Sequence, residues 1–283
     1  MKKTVYLAIL ALVTVFCIII GSVYHISGWI GFGLGNLFSF ISDDANNGSS
    51  SHNNVTYSED LDAFNRIEID SDAMNVTIQE GAAYHLEYDC PDYRKPEFEV
   101  TGSRLKIKQS PAKGWFRNHY TDKSKMTVTI PSGTVLDSTE ISTDVGNAYI
   151  NDIQCSDFSI EADVGNIEIN SCTFERSEIE SDVGNIDINK STLGRTNIDT
   201  DTGNVNLDEC GFGDLEIYND VGNVTLDSKD IDLSNYKIDL STDLGSIRYN
   251  GEKQKKHFYQ ESSGTSASYN ITIETDIGKI TFN

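Results

Sequence analysis

The phrase IEADVGNIEIN, residues 160–170, returns as IESDVGNIDIN at 179–189 and as IDTDTGNVNLD at 198–208. Its aspartate stands at Asp144, Asp163, Asp182, Asp201 and Asp220, always 19 residues apart. A fixed period of about 20 residues restricts a chain to architectures in which each repeat rests on its neighbours, above all solenoids. Apolar and polar residues alternate inside the repeat. Ile160 and Ala162 precede the Asp-Val-Gly-Asn turn, and Ile167 and Ile169 follow it. Alternation at period two places one face of a strand inside and the other in solvent. The reading is an all-β solenoid of about 19-residue coils, each strand pairing with its equivalent about 4.8 Å away.

A glycine occupies the third place of every turn: Gly146, Gly165, Gly184, Gly203 and Gly222 in the regular copies. Weaker copies follow, with Gly245 in STDLGSIRY and Gly278 in ETDIGKITF. The expectation is a type II turn, in which glycine supplies positive φ and the leading aspartate accepts backbone N–H bonds. Seven stacked coils would extend about 34 Å. Residues 57–140 read as a lead-in β region before the 141–283 repeats. Its candidate strands are FNRIEID, MNVTIQ, YHLEYD, EFEV, RLKIKQ and MTVTI, and SDAMNVTI within it echoes the repeat. The insertion GEKQKKHFYQESSGTSASY reads as a basic solvated loop or irregular hairpin.

The first 41 residues differ in kind. Lys2 and Lys3 precede Thr4–Tyr24, which carries no charge and is long enough to cross a bilayer as one helix. No other Lys or Arg occurs before Arg66. The charge bias keeps the N-terminus in the cytoplasm and places the rest outside the cell membrane. A cleaved signal peptide is the competing reading, but no small-x-small site ends the apolar run. Cys17 follows Thr14-Val15-Phe16, which does not fit a lipoprotein signal. Residues 42–56 are small and polar, as a linker would be.

The run MTVTIPSGTVLDSTEISTDVGNAYI, the 19-residue copies after it and the closing YNITIETDIGKITFN resemble the bacterial putative-adhesin β-strand-repeat domain family. The resemblance covers about residues 60–283. It implies a domain of unknown function, often joined to an N-terminal membrane segment in Gram-positive bacteria, and supplies no catalytic residues.

The motifs of catalysis are missing from the sequence. His52, His85, His119 and His257 lack metal-ligand spacing, and neither a Gly-x-Ser-x-Gly elbow nor a phosphate-binding glycine loop occurs. No cofactor is implied. Calcium bound by stacked Asp and Asn rows is the lesser reading of the turn, because calcium repeats have a shorter period and more glycine. Cys172 and Cys210 sit two coils apart, about 9.6 Å, beyond disulfide reach. Cys155 is a poor match for Cys172 and Cys90 has no evident partner, so buried free thiols are expected.

The chain holds 44 acidic against 22 basic residues. This balance disfavours nucleic acid, serves solubility, and permits a basic protein, peptide or surface ligand as partner. Outward acidic residues repeat at equivalent places: Glu161, Glu180 and Asp199 in one row, Asp163, Asp182 and Asp201 in the next. These six form the candidate binding face. The leading reading is a non-enzymatic cell-surface binding, adhesion or scaffold module. Its alternatives are an envelope-stress accessory that senses or buffers cationic compounds and, more distantly, a carbohydrate-active β-helix enzyme. If Thr4–Tyr24 anchors the chain, protease added to intact protoplasts will remove the domain. A protected domain, or a mature N-terminus near residue 40, would refute the anchor.

Overall fold

Strand pairing between coils turns the 19-residue spacing into columns of equivalent residues. The computed structural model describes residues 54–109, 124–228, 231–263 and 269–283. The apolar segment Thr4–Tyr24 lies outside them. Among the described residues the fold is all-β, and no helix is long and apolar enough to cross a membrane.

Seven strands come before the regular coils: β1 (Asn54–Asp60), β2 (Arg66–Ala73), β3 (Asn75–Gly81), β4 (His85–Pro91), β5 (Glu97–Thr101), β6 (Arg104–Lys108) and β7 (Lys125–Pro131). All six candidate strands are present. β1 was not anticipated and begins inside the stretch read as linker. The regular coils each consist of a long and a short strand. They are β8 (Val135–Val145) with β9 (Ala148–Asn151), β10 (Gln154–Val164) with β11 (Ile167–Asn170), β12 (Thr173–Val183) with β13 (Ile186–Asn189), and β14 (Thr192–Thr202) with β15 (Val205–Asp208). A fifth coil is split into β16 (Gly211–Phe212), β17 (Leu215–Val221) and β18 (Val224–Leu226). β19 (Tyr236–Tyr249), β20 (Glu252–Lys253), β21 (His257–Gln260) and β22 (Tyr269–Phe282) complete the set.

Pairing is parallel and in register from coil to coil. Ile141, Ile160, Ile179, Ile198 and Ile217 lie in one column, and Ala148, Ile167, Ile186, Val205 and Val224 in another. All ten are at most 1% exposed. Burying an aliphatic side chain of this size contributes about 1.5–3 kcal/mol, so each coil gains most of its stability from the coils beside it. The echo in SDAMNVTI is structural. β2 pairs in parallel with β8, Ile69 opposite Ile141, and β3 pairs with β9, Ile78 opposite Ile150.

The coils do not stack in chain order. β17 and β18 pair with β22, and β22 in turn pairs with β19. The copy around Asp276 is therefore inserted between the fifth coil and the copy around Asp243. β19 would then present an open edge. β20 and β21 cover it with antiparallel pairing, so the described part of the basic insertion is a hairpin that blocks further strand addition.

The turn differs from its expected form. Gly146, Gly165 and Gly222 have φ of 155°, 156° and 158°, at the extended margin and far from the value near +80° of a type II turn. The left-handed residues are at the other corner of the coil, where Asp152, Ser171, Lys190 and Glu209 have φ of 57°, 55°, 51° and 52°. Glycine is needed for space. A Cβ on Gly184 would overlap the carbonyl oxygen of Gly165, and one on Gly203 the carbonyl of Gly184.

The aspartate role also moves. Asparagine carboxamides accept the turn N–H bonds: Asn166 N donates to Asn147 Oδ1 at 2.9 Å, Asn185 N to Asn166 Oδ1 at 2.9 Å, and Asn204 N to Asn185 Oδ1 at 3.0 Å. Asn75 begins the ladder and Lys279 N ends it on Asn223 Oδ1. A second ladder links Asn151, Asn170 and Asn189 through their amides.

Cys155, Cys172 and Cys210 are free and buried, and Cys90 is buried as well. Burial pushes the Cys172 thiol up to about 12, and its Sγ donates to the Asn170 carbonyl at 3.2 Å. These thiols behave as small apolar groups rather than nucleophiles.

Replacing Gly184 by Ala is expected to cost about 3 kcal/mol, because the blocking atom is backbone and cannot rotate away. Replacing Lys190 by Gly should change stability by no more than about 0.5 kcal/mol, since relief of the left-handed φ offsets the extra chain entropy. Denaturant unfolding of the two variants measures both.

Candidate binding face

Outward columns follow from the same register. Glu161 pairs with Glu180 and Glu180 with Asp199, forming a row bounded by Ser142 on β8 and Tyr218 on β17. Asp163, Asp182 and Asp201 lie between paired neighbours on the same strands, two residues along. All six side chains are exposed. The structure thus brings the six predicted residues together on one face.

The aspartate row is longer than the candidate set. Asp144 and Asp220 continue it on β8 and β17, and Asp276 and Asp243 extend it through β22 and β19. Asp72 on β2 extends it at the other end and meets Arg94 Nη1 at 3.4 Å. The sequence signal for Asp72 was weak because its coil has Met74 where the others have glycine.

A second exposed row was missed. Val145, Val164, Val183 and Val221 follow the aspartates, and Ile277 and Leu244 continue the line. Each is between 42% and 51% exposed, and Thr202 interrupts the row between Val183 and Val221. The recurring valine of the turn was visible in the sequence, but its direction was not. The face therefore offers a ladder of carboxylates beside a ladder of aliphatic groups.

Stacked carboxylates perturb one another. Partial burial pushes the Glu180 carboxyl above its ordinary range, and the charges of Glu178, Glu161, Asp199 and Asp182 add to the shift. Partial burial also raises Asp144, helped by Asp163, Asp72 and Asp70. Asp220 is raised in the same way, with Asp276, Asp201 and Asp199 contributing. Among the described residues no group of three or more His, Cys, Asp or Glu is arranged to hold a metal ion, so the calcium reading finds no cage there. The rows can instead attract distributed positive charge.

A carboxyl whose folded pKa lies above its unfolded value opposes folding once ionised. Its stabilising effect is present when protonated and is lost as pH rises from the ordinary range through the raised folded value. Glu180→Gln should therefore raise the melting temperature at pH 7. The gain should shrink as pH falls through the raised range and vanish below the ordinary value of 4.5. Melting curves of parent and variant across pH 4 to 8 test this.

A Clostridium sporogenes structure described as a putative cell adhesion protein is 14% identical, with 81% of this chain and 99% of that chain aligned and a TM-score of 0.43. A Bacteroides fragilis putative adhesin is 16% identical over 82% and 98%, TM-score 0.45. A Parabacteroides distasonis putative lipid binding protein is 13% identical over 82% and 97%, TM-score 0.35. No curated protein matches the chain. The Toastrack DUF4097 family model matches residues 64–283, the whole of the coil stack together with β2 to β7, and the chain belongs to that family.

Proposed function

We propose that this protein is a non-enzymatic binding module, held at the cell membrane by Thr4–Tyr24 with its N-terminus in the cytoplasm and the coil domain outside, and that it captures basic proteins or peptides on its acidic face. The observation that supports the reading most is the repetition of the face itself. Glu161, Glu180 and Asp199 occupy identical places on consecutive coils, with Asp163, Asp182 and Asp201 beside them. Repetition suits an extended contact in which many weak pairings add, rather than one reacting centre. The aliphatic row along the face supports a partner that carries apolar as well as cationic side chains.

The triple variant Glu161→Lys, Glu180→Lys, Asp199→Lys tests the face. All three side chains are exposed, so the fold should survive. Calorimetry with an oligolysine peptide should show binding to the parent that weakens steeply with salt, and a loss of at least tenfold in the variant. Equal binding by a folded triple variant would exclude this face.

A further inference from the structure

A groove of about 720 Å³ crosses the coils beside the acidic face. Two outward columns form its walls. One wall contains Asp157, Arg176, Arg195, Asp214 and Lys237, and its cations already have partners. Arg176 donates to Asp157 through Nε at 2.5 Å and Nη2 at 2.8 Å. Arg195 stands 3.9 Å from Asp214, and Lys237 Nζ lies 5.4 Å from the centre of the Tyr259 ring.

The opposite wall alternates. Glu140, Glu178, Glu216 and Asp239 occupy every second coil, and Ser159, Asn197 and Thr272 occupy the coils between. The alternation from Glu140 to Glu216 follows chain order, and β22 continues it by placing Thr272 between Glu216 and Asp239. Asp239 meets His257 Nε2 at 2.8 Å. Glu140, Glu178 and Glu216 have no ion-pair or hydrogen-bond partner among the described residues, and the buried Oδ1 of Asn197 has none either. On the floor, the Ser177 and Thr196 hydroxyls bond each other at 2.7 Å. Phe158 is the one aromatic residue lining the groove and is 2% exposed, so no open ring is offered to a sugar face.

Unpaired carboxylates therefore recur every two coils, about 9.6 Å. A polyproline II helix advances about 3.1 Å per residue with three residues per turn, so every third side chain returns to the same face after about 9.3 Å. An extended strand returns after about 6.8 Å and misses this spacing. Seven residues of α-helix advance about 10.5 Å and drift by nearly 1 Å at each step. A polyproline II backbone makes no internal hydrogen bonds, which leaves its carbonyls available to the Ser159 and Thr272 hydroxyls.

We propose that this groove binds an extended cationic peptide in polyproline II conformation, with Lys or Arg at every third residue set against Glu140, Glu178 and Glu216. The assignment rests on the cation-binding function proposed above and adds the conformation and charge spacing of the ligand.

Two peptides of equal composition test it, one with lysine at every third position among prolines, the other with the same lysines in one block. Calorimetry against the full chain should show the periodic peptide binding at least tenfold more tightly. Glu178→Gln should abolish that preference while leaving its melting transition cooperative. Equal affinity for the two peptides would overturn the groove assignment and leave the acidic face standing. Failure of the parent to bind either peptide or oligolysine would overturn both. Glu178-dependent binding of a β-linked glucosamine oligomer, with none of the periodic peptide, would overturn the peptide assignment in favour of a sugar chain.

Discussion

Backbone pairing between equivalent residues of successive coils is the constraint on which the rest of the structure depends. It brings the chain so close to itself at the Asp-Val-Gly-Asn corner that the Gly165 carbonyl occupies the space a Gly184 side chain would need. Once that corner is fixed, every other residue of the repeat falls into a column. Isoleucines stack on isoleucines in the interior, and asparagine amides hand hydrogen bonds from coil to coil. The turn N–H groups are satisfied from coil to coil, while the buried Thr143, Ser181 and Thr200 hydroxyls beside them have no partner among the described residues.

The same register imposes a cost outside. Carboxylates that align on successive strands repel, and Glu180, Asp144 and Asp220, whose pKa values are raised mainly by partial burial, are pushed further by these neighbours. The neighbouring groove has a different arrangement. There one wall neutralises its own charges through the Arg176–Asp157 pair and the approach of Arg195 to Asp214, while the other leaves carboxylates open on alternate coils. Free negative charge is thus concentrated on one side of a concave surface, where a ligand's cations would replace repulsion with attraction.

Periodicity made the coils legible, because identical environments select identical residues. The Ile141 to Ile217 column, the exposed Glu161 to Asp199 row and the free thiols all follow from it. What the sequence concealed depends on three-dimensional proximity. Glycine marked the turn, but its cause is a backbone approach that no single repeat reveals, while the left-handed corner is held by Asp152, Ser171, Lys190 and Glu209, which carry no shared signature. Insertion of β22 between β17 and β19 was hidden because Asp243 and Asp276 belong to equally plausible coils in either order. The groove wall from Glu140 to Glu216 was written in the 19-residue register, but its extension to Asp239 depends on that reordering.

The placement of β22 has a consequence for how the chain becomes a protein. β17 and β19 are both made before it, yet neither can pair with the other in the final arrangement. Until β22 emerges, the growing polypeptide has two unsaturated sheet edges and an unclosed apolar interior, with Leu215, Ile217, Ile238 and Leu240 awaiting the strand that will lie between them. Folding of this end therefore waits on synthesis, and a polypeptide released early would leave both edges available to other chains. A chain that stops short of Phe282 lacks the strand that joins β17 and β18 to β19.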